Sequence, residues 1–452
     1  MCEQREAVCC HRGTYVSEVF GADVCVAARI VAVLMDVVSS VMTPWLASLS
    51  GDAWLTLKKA SSDTACPRRR PGREAEERTK MAPHLTTAAS ALFLLPEDCS
   101  PPPAREAAAA APRTEPPPPG YEWRIVWRNV LGFVYLHAGA LYGVYLIFTS
   151  ARLATVLWAV LVAMLGAVGV TAGAHRLWCH RAYKAKWPLR LLLAVLQTMA
   201  FQNHIYEWVR DHRVHHKFSD TDADPHNSKR GFFFSHMGWL MLRKHPAVKE
   251  RGSTVDMSDL DTDPIVVWQR RTYLVVMPLL CFVLPAWLPV RLWGEEPWTA
   301  WYVAAIFRYM LSLHITWLVN SAAHVWGTRP FDKNISATEN LPVALAAFGE
   351  GWHNYHHAFP WDYKAAELGD YRANLSTAFI DLFARLGWAY ELRTVPPEMA
   401  ARRARRTGDG SHRLQGGAPG VSDRGDSLWG WGDRDMPAEE VLEVRLFADK
   451  RE

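Results

Sequence analysis

Four long apolar runs are the feature that most constrains how this chain can fold. Residues 125–150, 153–173, 273–293 and 298–319 are each long enough to cross about 30 Å of hydrocarbon as a helix. A short turn joins the first run to the second, and a tight polar loop joins the third to the fourth. The pattern predicts an all-α integral membrane protein with four transmembrane helices in two hairpins.

An even number of spans places the long polar segments on one side of the membrane. Residues before 125, residues 174–272 and residues after 320 would then share a compartment, and the middle segment carries sixteen Lys and Arg residues. This excess of positive charge indicates the cytosol, so we expect a cytosolic cap and two cytosolic termini. The run 187–201 is short and contains Arg190 and Gln197, which favours an interfacial or half-buried helix.

The two ends of the chain differ in composition from the membrane domain, which we assign to residues 121–393. Residues 1–120 alternate apolar with basic and proline-rich stretches, which predicts a disordered extension. Residues 26–49 are apolar enough for a weak span or a signal anchor, and an alternative start at Met81 would make residues 1–80 an upstream extension. Residues 394–452 predict a polar, mostly disordered tail without a catalytic role. The net charge of +4 over 452 residues gives no reason to expect a nucleic-acid partner.

Histidine is the unusual residue, and it occurs in three dense clusters within the predicted cap. The clusters are His175 with His180, His212 with His215 and His216, and His353 with His356 and His357. Residues at i, i+3 and i+4 share one face of a helix, so each triplet can present its imidazoles to one point. The first pair is five residues apart and does not share a face of an ideal α-helix. We therefore expect the second span to end near His175 and the chain to turn before His180.

A ninth candidate ligand, His324, follows the fourth span. Trp317, Asn320 and His324 recur at i, i+3 and i+7, which predicts one stripe with Asn320 and His324 facing a metal site and Trp317 lining the adjoining cavity. Packing alone is an equal interpretation for Trp317. A structural zinc site needs four ligands, and nine histidines exceed that need. Two metals with open positions would suit oxygen activation, and iron is our first choice.

Four segments closely resemble the membrane acyl-CoA Δ9 desaturases, the stearoyl-CoA desaturase family, in an insect-like form. These are residues 171–178 (TAGAHRLW), 203–224, 320–327 (NSAAHVWG) and 349–357 (GEGWHNYHH). The resemblance extends from about residue 121 to residue 408. It implies a bundle of four transmembrane helices with a cytosolic helical cap that holds a histidine-rich dimetal site.

The resemblance also implies a ligand set and a reaction. Ten positions match the family's diiron ligands, with Asn320 acting through water: His175, His180, His212, His215, His216, Asn320, His324, His353, His356 and His357. The family uses O2 and electrons from NADH, delivered by cytochrome b5 reductase and cytochrome b5 in the endoplasmic reticulum membrane. It forms a cis double bond between carbons 9 and 10 of saturated acyl-CoA such as palmitoyl- or stearoyl-CoA. Cys179 stands where the family often has Ser.

A substrate site for acyl-CoA needs a basic surface for the phosphates beside a narrow apolar tunnel. By the same resemblance, the CoA head would contact Asn203, Arg210, Asp211, Arg243 and Lys244, and the acyl chain would pass Trp208 and Trp317. Ala163 and Ala167 match the region that closes the tunnel in the family. Their small side chains favour tolerance of C18 chains, although close helix packing explains them equally well.

Two other functions stay open at this point. The same fold and metals with a different tunnel would give another regiospecificity, such as the Δ11 desaturases of the pheromone type. A noncatalytic lipid-binding protein could also keep the fold. Loss of a histidine from the clusters would favour that interpretation, and none is missing.

Overall fold

The structure is a computed structural model that describes residues 123–413 and 427–446. Our expectations for residues 1–120, including the run 26–49 and the start at Met81, lie outside the described residues. Four helical segments are long and apolar enough to cross a membrane: Trp127–Thr149, Leu153–Cys179, Pro264–Trp293 and Pro297–Val325. This confirms the four spans and the all-α class. The third helix begins at Pro264, nine residues before the apolar run predicted from residue 273. The run starts late because the first turns of the helix contain the polar residues Gln269, Arg270 and Arg271.

The described residues form mainly helices. In chain order these are α1 (Trp127–Thr149), α2 (Leu153–Val168), α3 (Trp187–Ala200), α4 (Ile205–Phe218), α5 (Phe232–His236), α6 (Pro246–Gly252), α7 (Ser258–Asp261), α8 (Pro264–Pro278), α9 (Leu284–Trp293), α10 (Pro297–Ala300), α11 (Arg308–Asn320), α12 (Ala322–Val325), α13 (Leu341–Ala346), α14 (His353–Ala358), α15 (Leu375–Arg385), α16 (Pro397–Thr407) and α17 (Ala438–Glu443). The π-helical segments are Gly169–Cys179, Leu279–Val283 and Trp301–Phe307, and the 3₁₀ turns are Ser228–Arg230, Gly238–Leu240 and Tyr371–Ala373.

Four two-residue strands complete the described part of the chain. β1 (Lys184–Ala185) pairs antiparallel with β2 (Ala389–Tyr390), with Lys184 opposite Tyr390. β3 (Arg393–Thr394) pairs antiparallel with β4 (Arg445–Leu446), with Arg393 opposite Leu446. These short pairs join distant segments of the cap.

The membrane helices bury one side of each helix and expose apolar side chains on the other. Phe133 and Leu136 of α1 pack in a buried cluster with Tyr309 and Trp317 of α11. On the outward faces, Leu141 is 72% exposed and Phe148 is 83% exposed, which is the pattern expected where lipid replaces water. The chain is therefore a multi-pass membrane protein.

The cap covers the end of the bundle at which α2 terminates. The short helix α3 lies against the π-helix that follows α2, and this contact depends on Gly169. A Cβ at Gly169 would lie 2.3 Å from the backbone N of Gln197, so the two helices can approach this closely only because the residue is glycine. Residues 187–200 thus form the short, non-spanning helix that the sequence predicts.

The described part of the C-terminal segment is folded, which differs from the expectation of a mostly disordered tail after residue 393. Met399, Ala400 and Ala404 line one face of α16 and pack against Phe331 and other buried aromatic residues. The arginines of α16 occupy its other face. Composition averaged over this helix hides the apolar face, which is why composition alone predicts a solvated tail here.

Candidate metal centre

The pair His175 and His180 is placed by an unusual helical geometry. We expected the chain to turn after His175. Instead, a π-helix continues from Gly169 to Cys179. The backbone N–H of His180 donates to the carbonyl of His175 at 3.0 Å, an i to i+5 hydrogen bond. A π-helix brings residues five apart onto one face, and the two imidazole rings lie 4.7 Å apart between centroids.

The two triplets lie on α4 and α14, as the i, i+3, i+4 spacing predicts. His324 lies on the short helix α12, which follows a break at Ser321. The stripe of Trp317, Asn320 and His324 is therefore not one continuous helical face. Asn320 ends α11 and is half-buried. Its role as a ligand through water stays a prediction.

The structure brings all nine histidines into two adjacent groups. In each group, one nitrogen per ring lies within 4.8 Å of the others. The first group contains His175, His180, His212, His216 and His356, and the second contains His215, His324, His353 and His357. Ring stacking connects them, since His216 and His357 lie 4.2 Å apart between centroids at an interplanar angle of 12°.

The Nε2 atoms converge in both groups. In the first, Nε2 of His356 lies 2.9 Å from Nε2 of His175 and 3.1 Å from Nε2 of His216. In the second, Nε2 of His353 lies 3.0 Å from that of His324 and 3.1 Å from that of His357. Lone pairs facing one another at these distances repel unless a cation lies between them.

Four of the histidines have Nδ1 partners that orient the ring. Nδ1 of His175 lies 2.9 Å from Glu350, and Nδ1 of His215 lies 2.9 Å from Asp224. His324 contacts the Ser336 hydroxyl at 2.8 Å, and His180 donates to the carbonyl of Trp429. A carboxylate or carbonyl oxygen only accepts, so it keeps the proton on Nδ1 and leaves the Nε2 lone pair for a metal.

Burial keeps these imidazoles neutral. Burial and the neighbouring histidines hold the pKa values of His180, His212, His216, His356 and His357 well below their ordinary value. Burial lowers the pKa of His215 to about 4. Neutral imidazole is the form that binds metal, so the ligands need not lose a proton at neutral pH.

The residues present fit two metal ions. The donors are imidazole nitrogens, which suit iron, copper, nickel and zinc, and two adjacent groups of this kind exceed the need of one structural ion. Nε2 of His180 and of His215 is buried without a hydrogen-bond partner among the described residues. A buried acceptor without a partner destabilises the folded state, and a bound cation would remove this free-energy cost.

A cluster of charged side chains lies on α4 beside the first group. Arg210 contacts Asp211 at 3.1 Å and Glu207 at 3.5 Å. Lys244, from the loop before α6, contacts Asp211 at 2.5 Å and Glu207 at 3.7 Å. Burial raises the pKa of Glu207 to about 7. Burial acts in the same direction on Asp211, but Lys244 and Arg210 outweigh it and lower the pKa of that carboxyl.

The other residues predicted for the substrate site lie around this cluster and the metal groups. Trp208 stacks on His212, with centroids 4.8 Å apart. Trp317 is buried against Phe133 at 5.5 Å, between two spans. Arg243 is exposed next to Lys244, and Asn203 precedes α4 with a left-handed backbone (φ +67°). Their contacts with substrate stay predictions.

Sequence reasoning missed the partners of the ligands. Glu350 is fixed by Arg176, whose Nη2 lies 2.8 Å away, and it stands three residues before His353 within the motif of residues 349–357. Asp224 also lies near His226, and the two form a third potential metal group with His215. Because His215 belongs to the second group, this set extends the same site. The contact between Trp429 and His180 has no signal in the sequence, since the two residues lie 249 positions apart.

Fold and site together define an integral membrane protein with two adjacent groups of histidines that could each hold a metal ion. A family model described as "Fatty acid desaturase" matches residues 150–379. The chain therefore belongs to the fatty acid desaturase family, and it is an oxidoreductase.

Three relatives show how close this similarity is. The chain is 61% identical over 321 residues to an "Acyl-CoA Delta-9 desaturase" of Acheta domesticus. The alignment covers 71% of this chain and 86% of that protein. It is 59% identical over 319 residues to an "Acyl-CoA Delta12-desaturase" of the same species, covering 71% and 85%. It is 55% identical over 288 residues to the human "Stearoyl-CoA desaturase", covering 64% and 80%.

Proposed function

We propose that the protein is an acyl-CoA Δ9 desaturase of the endoplasmic reticulum membrane. It introduces a cis double bond into palmitoyl- or stearoyl-CoA, using two iron ions, O2 and electrons that pass from NADH through cytochrome b5 reductase and cytochrome b5. The observation that carries the proposal is the convergence of Nε2 atoms in two adjacent groups. The 61% identity to a relative named for the Δ9 position supports the regiospecificity.

The chain's own residues hold and orient the metals. When bound, the two irons would supply, with O2 and two electrons, the oxidising power to remove hydrogen from unactivated carbons. Five imidazoles would surround one ion and four the other. Glu350 and Asp224 keep the protons of His175 and His215 on Nδ1, so that both rings present a lone pair to the metal.

The charged cluster on α4 would bind the CoA head. Arg210 and Lys244 offer cationic groups for phosphate, and Asp211 and Glu207 hold both in place through the contacts described above. Arg243 and Asn203 extend this polar surface. The acyl chain would pass Trp208, which stacks on His212 beside the metals, and continue between the spans near Trp317.

The charge of the cap supports the membrane orientation that we propose. The sixteen Lys and Arg residues of residues 174–272 belong to the side that carries the histidines. On the positive-inside rule this side faces the cytosol. There it would meet acyl-CoA and its electron donor cytochrome b5.

The proposal is tested by expression in a yeast strain that lacks its own Δ9 desaturase. Fatty acids are analysed by gas chromatography, with the double bond located by derivatisation, and His357→Ala serves as the inactive control at equal expression. We expect C16 and C18 acids with a 9,10 double bond from the wild type and none from the variant. Absence of new unsaturated acids, despite stable protein, would contradict the proposal.

A second regiospecificity is supported by the relative named for the Δ12 position, which is 59% identical. The metal groups would be unchanged in that case, and the position of the acyl chain along the tunnel would differ. The same chromatogram decides between them, because a double bond at carbon 11 or 12 would keep the desaturase chemistry and replace the Δ9 assignment.

A further inference from the structure

Residues 427–435, here called the C-terminal strap, contact the first histidine group directly. Nδ1 of His180 donates to the carbonyl of Trp429. In the opposite direction, the backbone N–H of Trp431 donates to the carbonyl of His180 at 2.9 Å. The strap thus holds both the ring and the backbone of this residue.

Gly430, between these two contacts, allows the close approach. Its φ is +150°, and a Cβ there would lie 2.6 Å from both Cα and the carbonyl oxygen of His180. Real Cβ atoms do not approach other atoms this closely, so any other residue would move the strap away from His180. The contact is therefore closely packed and depends on glycine at this position.

The strap is fixed by residues that neighbour the metal ligands in sequence. Trp429 is 2% exposed, and its ring lies 4.2 Å from the guanidinium of Arg213 and 4.9 Å from that of Arg181. Asp433 accepts from the backbone N–H of Trp429 at 3.0 Å and contacts Lys217 at 2.9 Å. Arg181, Arg213 and Lys217 adjoin His180, His212 and His216 in the chain.

We propose that the C-terminal strap is a positioning element of the metal centre: it orients His180 for the metal held by the first histidine group. His175, His215 and His324 take their Nδ1 partners from elsewhere in the cap, and the strap supplies the partner of His180. The Trp429 carbonyl keeps the proton on Nδ1 and turns Nε2 towards the other imidazoles. This inference rests on the proposed function in one respect, namely that the histidine groups hold metal.

The test is a titration of metal-free, detergent-purified full-length protein with Fe²⁺ under anaerobic conditions. It measures how many ions bind and how tightly each is held in the wild type, in Gly430→Val and in Gly410→Val. Gly410 is the matched control, because its φ is +90° but nothing lies within 4 Å of an added Cβ. Both variants strain the backbone, and only Gly430→Val displaces the strap from His180.

We expect the wild type and Gly410→Val to bind two ions equally well. Gly430→Val should bind one of them about 10- to 100-fold more weakly, the usual effect of losing an outer partner of a ligating histidine, while the other ion is held as tightly as in the wild type. Its melting temperature should also fall, because the displaced Trp429 is a buried residue. Unchanged affinities would overturn the proposal. Equal weakening of both ions with a lower melting temperature would also overturn it, because the strap would then only stabilise the fold.

Asp433→Asn is the second variant, used in case Gly430→Val does not fold. It removes one of the two strap carboxylates that contact Lys217, the other being Asp435, while keeping the size of the side chain, so we expect a smaller but selective weakening of the same ion. Two ions held as tightly in Asp433→Asn as in the wild type would count against the positioning role of the strap. If the wild type itself binds no Fe²⁺, the metal assignment fails and this inference fails with it.

Discussion

Glu207 is a buried carboxyl beside the two cations that we propose bind the CoA head. It is 3% exposed, and its burial raises its pKa to about 7. Lys244 and Arg210 contact it at 3.7 Å and 3.5 Å. As the pH falls through about 7, Glu207 takes up a proton and its negative charge is lost from beside these two cations. The cluster then becomes more positive, and it should attract the CoA phosphates more strongly.

We predict that stearoyl-CoA binds the unreduced protein more tightly at pH 6 than at pH 8, and that Glu207→Gln removes most of this dependence. The expected contribution of Glu207 is about threefold to tenfold in Kd, on the order of 1 kcal/mol for one charge near a partly exposed cation. Glu250→Gln, an exposed residue of the same cap, is the control for changes in net charge and should keep the wild-type profile. Parallel pH profiles for the wild type and Glu207→Gln would refute this role.

The grouping of the histidines could be predicted from the sequence, and the hydrogen-bond partners of their rings could not. His212, His215 and His216 follow a local spacing that fixes a shared helix face, so the sequence alone places them together. The partners Glu350 and Trp429 reach His175 and His180 across 175 and 249 residues, and no local pattern encodes such a contact. The charged residues proposed to bind substrate were predicted only through resemblance to a family.

At the scale of elements, the π-helix after α2 is the feature that the sequence did not indicate. A spacing of five residues argues against a shared α-helical face, and only the wider turn places His175 beside His180. The chain forms this turn where Gly169 lets α3 approach its backbone. The amphipathic helix α16 was missed for a related reason, since its apolar face appears only when period and composition are considered together.

We predict that Gly169→Ala destabilises the protein and that Gly166→Ala does not. An added Cβ at Gly169 would lie 2.3 Å from the backbone of Gln197, whereas at Gly166 it would lie 3.5 Å from Ala200, an ordinary contact. Overpacking of the first kind costs about 1–3 kcal/mol, and Ala in a helix is otherwise favourable. Thermal melting of the purified variants in detergent should show a lower Tm for Gly169→Ala alone. Equal Tm values would mean that the two helices separate without cost.

At the scale of the whole molecule, hydropathy predicted the four spans, and histidine spacing predicted that the cap holds a cluster of imidazoles. Their relation follows from physics, because the polar loops on the two sides differ greatly in length and only the long segments can enclose nine imidazoles away from lipid. What the sequence left open is how distant segments return to the site. The described part of the C-terminal region does so twice, through β4 on β3 and through Trp429 on His180.

The central claim is that the two histidine groups hold two iron ions. The most direct measurement is the iron content per chain of protein purified from iron-supplied cells, by plasma mass spectrometry, with protein quantified by amino-acid analysis. We predict two irons per wild-type chain, and fewer in His357→Ala. A wild-type protein that is folded, monodisperse and free of iron would contradict the account.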